Sequence, residues 1–160
     1  MTMDSDAETS EPGVDPTRQA AARLGAVAFA LMGVLALWLF AIAGDHPWRE
    51  ATIFLLATYS ALIIAFVGGI RWGAAFLGDQ RSGRALEIGF SLVPVLVGWS
   101  ALLLDPPYSF AVLAVAFAAQ GAWDALAVHR EDVPQWFGTQ RNWLTALSVF
   151  AMIVAFAATA

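Results

Sequence analysis

The chain has no cysteine and no lysine, and only 13% of its 160 residues are charged. Each shortage excludes something. Without thiols there is no disulfide framework, no thiol nucleophile and no Cys-ligated zinc or iron–sulfur cluster. All eight basic residues are Arg and the net charge is −5, which gives no general footing for nucleic acid. A soluble domain carries about 25% charged residues, so solubilising charge is scarce here. The hydrophobic share, 59%, is too large for the core of so small a water-soluble domain. Lipid solvates what water cannot. The sequence also lacks G-x-S-x-G, H-E-x-x-H, a Walker loop and a dinucleotide fingerprint. It predicts a protein that is not an enzyme and holds no cofactor.

What the sequence does have is hydrophobic length. A bilayer core of about 30 Å needs about 20 apolar helical residues. Five segments supply them, at about 24–44, 51–77, 85–104, 108–128 and 142–160. The fold class expected is an all-α integral membrane protein, a bundle of five transmembrane helices. The loops between them are short, which makes neighbouring spans antiparallel and leaves no room for an extramembrane catalytic domain. Residues 1–17 are acidic, lack aromatics and are rich in Ser, Thr, Pro and Gly. Such a segment cannot bury enough apolar surface to offset its chain entropy, so it reads as a disordered acidic tail before a membrane domain over 18–160. Its length and acidity, and the length of the first apolar run, argue that span one is retained rather than cleaved as a signal peptide.

Arginine placement sets the orientation. Arg18, Arg23, Arg71, Arg81, Arg84, Arg130 and Arg141 fall on the N-terminal side of the five spans, and Arg49 alone on the other. The positive-inside rule then puts the N-terminus in the cytoplasm and the C-terminus in the periplasm. Trp72, Trp123, Trp136 and Trp143 fall near one interface and Trp38, Trp48 and Trp99 near the other, the pattern of aromatic belts.

Three constellations stand out. Ala61, Ala65, Gly69 and Gly73 recur every four residues and make a ridge of small side chains on one helix face. In lipid such a ridge lets backbones approach closely. Internal packing is the plainer reading and contact with a partner protein the sharper one. Polar groups form the second constellation: Arg71, Glu87, Gln120 and Asp124 all fall toward the cytoplasmic end. A charge within a span is costly unless it faces the bundle or water, so Asp124 should be paired, and Arg71 is the expected partner. A structural ion pair is the plainer reading; a headgroup or substrate site, or a proton relay through Asp124 and Glu87, are the alternatives. Third, Pro94 in mid-span should free the carbonyl of Phe90 and kink the helix, with Ser91 placed to compensate. The two histidines, His46 and His129, lie near opposite faces and cannot clamp a haem between them. Asp45, His46 and Asp105 make at best a loose metal set.

At Gly68-Gly69-Ile70-Arg71-Trp72-Gly73 the sequence resembles a small membrane family, domain of unknown function 3429, which includes a mitochondrial transmembrane protein. Ser91, Pro94 and Trp99, read as S-x-x-P-x-x-x-x-W, and the stretch from Trp136 to Thr145 support the resemblance. It covers Leu24 to the C-terminus. Where this chain has Arg71, the family more often has His. A guanidinium stays charged at physiological pH, so no titrating or metal-binding role carries over to Arg71. The resemblance implies the multi-pass architecture and a bacterial inner membrane of the respiratory type, or the mitochondrial inner membrane if the source is eukaryotic. The family's own function is uncharacterised.

These readings together predict an accessory or assembly subunit of a larger respiratory or photosynthetic membrane complex, in contact with membrane lipids, with a homo-oligomer possible. The alternative is a small transporter or lipid-binding protein working through Arg71, Glu87 and Asp124.

Overall fold

The computed structural model describes residues 16–42, 44–77, 84–129 and 135–160. Residues 1–15 of the acidic segment lie outside these. Six α-helices follow one another: α1 (Pro16–Ala41), α2 (Arg49–Leu77), α3 (Arg84–Ser91), α4 (Val93–Ala101), α5 (Tyr108–His129) and α6 (Gln135–Thr159). There is no strand among the described residues. Pro16 opens α1, where its fixed φ suits the first helical turn.

Four helices, α1, α2, α5 and α6, are each long and apolar enough to cross a bilayer. The third predicted span is divided. α3 and α4 meet at Leu92, and the apolar part, Ile88–Ala101, is shorter than a full crossing. Pro94 is the cause: it has no N–H for the carbonyl of Phe90, and it sits in the first turn of α4. The backbone tightens there, so the Leu92 amide donates to the Gly89 carbonyl at 3.2 Å. The Ser91 hydroxyl donates to the Ile88 carbonyl at 2.7 Å. Ser91 thus serves the carbonyl of Ile88 and not that of Phe90, the one expected to be freed by Pro94.

Neighbour pairs along the helices give the directions. A Cβ added at Gly68 would meet Ser91 and Pro94, and one at Gly98 would meet Ala61 and Ile64. α2 and the α3–α4 pair thus run antiparallel. Gly25 faces Gln140 and Leu144, and Gly33 faces Leu147, so α1 and α6 run parallel and side by side. First and last helices of a chain that alternates direction lie parallel only if the total number of runs is odd. Five runs satisfy this, with α3–α4 as the third.

The core is a seam of Met32, Leu39, Leu56, Ile64, Phe110, Leu113 and Met152, all fully buried. The outside is as apolar as the inside: Leu24 is 72% exposed and Val115 is 70% exposed. On a water-soluble surface so continuous an apolar cover would drive aggregation; in a bilayer it is solvated by acyl chains.

α5 and α6 pack tightly at Gly121. A Cβ there would lie 2.3 Å from Thr145 Cγ2 and 3.0 Å from Thr145 Cβ. Gly121→Ala is therefore expected to destabilise the fold by about 1–3 kcal/mol through overpacking. Thr145→Ala in the same chain removes the two nearest atoms and should return part of the loss. Thermal unfolding in detergent checks both; a Gly121→Ala protein as stable as wild type would mean that the helices are not in this contact.

Candidate functional site

The polar residues that the helices bring together lie where α5 ends and α6 begins. Asp124 is 5% exposed and Arg141 is 9% exposed. The Arg141 Nε donates to Asp124 Oδ2 at 2.8 Å, and Nη2 stands 2.7 Å from the same oxygen. Gln120, one turn before Asp124, donates from Nε2 to Oδ1 at 3.4 Å, a long and weak bond. Close packing at Gly121 and Thr145 places the two helices near enough for this pair. Next to Asp124 in the chain, the Trp123 ring lies 5.3 Å from the Phe90 ring of α3, which brings α3 beside this end of α5.

Arg141 was assigned by hydropathy to the loop before the last span, yet α6 starts at Gln135 and carries it inside the bundle. The apolar stretch that is long enough to cross a membrane in fact runs Gly138–Thr159 and includes Arg141, so the expected span over 142–160 starts too late. Pro134, just ahead of Gln135, was the available signal, since proline marks helix starts. Arg71 falls in the last turns of α2 and Glu87 in α3. The side chains of both lie outside the described residues, and with them the pairing of Arg71 with Asp124.

The small-residue ridge divides between two environments. Ala61 is buried, with its carbonyl 3.0 Å from where a Gly98 Cβ would stand. Ala65 is half-buried. Gly69 is exposed, and a Cβ on Gly69 or on Gly73 would meet nothing within 4 Å. The glycine that holds α3–α4 against α2 is Gly68, with Ser91 O only 2.8 Å from the Cβ position. The internal seam thus runs Ala57, Ala61, Ile64, Gly68, at spacings of four and three, and a search at a fixed spacing of four steps off it.

At the other end of the bundle Arg49 is the one described cation. Its Nη1 donates to the Ile42 carbonyl at 3.3 Å and its Nη2 to the Ala158 carbonyl. These carbonyls close α1 and α6, and a cation there complements the negative ends of both helix dipoles. Nearby, the His46 ring meets the Trp38 ring edge-on at 6.1 Å, and His46 Nδ1 accepts the Trp48 amide at 3.2 Å. Asp45, His46 and Asp105 do not gather into a ligand set, and among the described residues no three metal-binding side chains do.

The family model described as "Protein of unknown function (DUF3429)" matches residues 19–157, nearly all of the helical chain. The chain belongs to this family. Curated relatives of this DUF3429 protein include Transmembrane protein 69 of Xenopus tropicalis, 29% identical over 106 residues, or 62% of this chain and 40% of that one. Transmembrane protein 69 of Mus musculus is 28% identical over 107 residues, 64% of this chain and 40% of its own length. The matched stretch thus spans about two-fifths of these relatives. No solved structure matches the chain. Family membership, the relatives' name and the apolar helices agree that this DUF3429 chain is an integral membrane protein.

Proposed function

We propose that the protein is a non-catalytic accessory or assembly subunit, held laterally against a transmembrane helix of a larger complex in a bacterial or mitochondrial inner membrane. The observation that carries this reading is Gly69. One residue away, Gly68 is fully used by the protein's own α3–α4 segment, whereas Gly69 opens to the outside with nothing within 4 Å of its Cβ position. Exposed Leu62, Phe66 and Ile70 flank it. Small residues between apolar ones give the shallow notch into which a partner helix packs in lipid, where van der Waals contact replaces the hydrophobic effect as the driving force. The Asp124–Arg141 pair supports the same reading, because both groups already have a partner inside the bundle. The partner would be a respiratory or photosynthetic assembly, with the arginine-rich end of the bundle in the cytoplasm or matrix.

Purification of the tagged protein in mild detergent, read by mass spectrometry and native-gel size, tests the reading. A stoichiometric companion is expected with wild type. Gly69→Leu should insert and melt as wild type does while the companion is lost about tenfold or more, since small-to-large change at a helix contact prevents approach. Equal recovery of the companion with Gly69→Leu would remove Gly69 from the contact. A homogeneous monomer or homodimer without companions would overturn the subunit reading itself.

A further inference from the structure

At the Arg49 end of the bundle a cavity of about 510 Å³ opens between α2, the end of α4, the turn after it and the start of α5. Its volume lies within the range of small-molecule sites. Exposed Trp48 and Tyr108 stand at this end, and such aromatic side chains settle at headgroup depth. Charge on the lining is confined to one end, at Arg49 and Glu50. From there the α2 wall descends to Thr58, about 14 Å of helix at 1.5 Å per residue. Phe54, Ala57 and Leu102 make the descent apolar. Thr58 and Ser109 also border the space, but their hydroxyl oxygens are buried and shut off from it. The cavity therefore offers charge at its mouth and hydrocarbon below.

We infer that this cavity binds one long-chain carboxylate, a single-chain amphiphile with one negative charge at its end. The carboxylate meets Arg49, and the chain runs down past Phe54, Ala57 and Leu102. The bonds from Arg49 to Ile42 and Ala158 hold the guanidinium in place and still leave N–H donors of its five. A guanidinium can take a carboxylate with two parallel bonds. Glu50, the next residue on the lining, disfavours a second negative charge on the ligand, such as a phosphate monoester carries. A diacyl phospholipid fits worse for another reason. Its ester carbonyls would lie below the mouth, where no side-chain donor reaches the space, and polar groups buried without a partner are costly. Gly69 lies toward the far end of α2 from Arg49, so this site stands independently of the subunit reading.

Native mass spectrometry of the full chain, delipidated and then titrated with oleate, methyl oleate or phosphatidylglycerol, tests the site. Wild type should retain one oleate per chain, about tenfold or more better than methyl oleate, the scale of one charge-assisted hydrogen bond. Phosphatidylglycerol should not displace it. This comparison of ligands needs no substitution, so it stands whether or not a variant folds. Leu102→Trp then narrows the hollow from a position that is 42% exposed. That variant should melt as wild type does and retain oleate about tenfold less well. Wild type that retains no oleate would overturn the proposal outright. Equal retention of oleate and methyl oleate would remove Arg49 from the site, and displacement by phosphatidylglycerol would overturn the single-chain assignment. Unchanged oleate retention in Leu102→Trp would place the ligand elsewhere than in this cavity.

Discussion

Asp124→Ala is expected to destabilise the bundle by about 3 kcal/mol, measured as a lower melting temperature in detergent. Removing one partner of a buried ion pair typically costs about 3–5 kcal/mol, because the other charge is left in a poor solvent. The lower end applies for a geometric reason. Arg141 lies within the first two turns of α6, so an abandoned guanidinium can extend toward the membrane surface and recover part of its hydration. An ordinary interhelical hydrogen bond in a membrane is worth only about 0.6 kcal/mol, since the unfolded chain in lipid also finds partners. The 3.4 Å bond from Gln120 to Asp124 runs within α5 and does not tie two helices together, and Gln120→Leu should change stability by no more than about 0.5 kcal/mol. A cycle of Asp124→Ala, Arg141→Ala and the double variant should give a coupling within the range for contacting residues, about 0.5–3 kcal/mol. Additive losses would mean that the pair does not hold α5 to α6. A transport role for Asp124 predicts the opposite signature, a loss of flux with no loss of stability.

The second large effect is expected at Gly68. An alanine there places its methyl 2.8 Å from the Ser91 carbonyl oxygen and 3.1 Å from the Pro94 ring. Neither neighbour can turn aside, one being backbone and the other a ring fixed to it. The whole α3–α4 segment must move off α2, and the cost should reach the upper part of the overpacking range, about 1–3 kcal/mol or more. Gly68→Leu should fail to accumulate as folded protein. Gly69→Ala, one residue on, is the control: it meets nothing, and replacing glycine within a helix should leave stability equal or raise it by about 0.5–1 kcal/mol. Melting temperatures of the two alanine variants therefore separate in opposite directions. If they move together, the seam between α2 and α3–α4 is looser than described.

What the sequence made legible followed from solvent and length. Long apolar runs such as Ala22–Ala41 and Tyr108–Leu126, each with a single charged residue, read as helices in lipid, where each backbone group must be satisfied within its own segment. Pro94 announced the interruption of the third segment because its missing N–H is a covalent fact. Less was legible where the answer depends on which face of a helix meets which neighbour. Gly68 and Gly69 are identical residues side by side, and only the crossing of α4 distinguishes the packed one from the open one. Asp124 plainly needed a cation, but Arg141 stands one residue outside the span expected over 142–160, and only the start of α6 at Gln135 puts it inside the bundle. Nor was the space left between helices legible: Arg49, Ala57, Leu102, Ser109 and Thr159, from α2, α6 and the segments around α4 and α5, line one cavity that their apolar sequences do not announce.

The parallel neighbours α1 and α6 have a consequence for the timing of biogenesis. The bond from Arg49 to Ala158 links residues 109 apart in the chain, and the facing pair Gly25 and Leu144 are farther apart still. Synthesis proceeds at about 5–20 residues per second. The face of α1 that α6 will cover is therefore bare for about 5–20 s after it leaves the ribosome, with Arg49 beside it already in the membrane and one of its two carbonyl partners not yet made. During that interval the first two helices must be sheltered by lipid or by the insertion machinery, and arrival of the last helix is the event that completes the bundle.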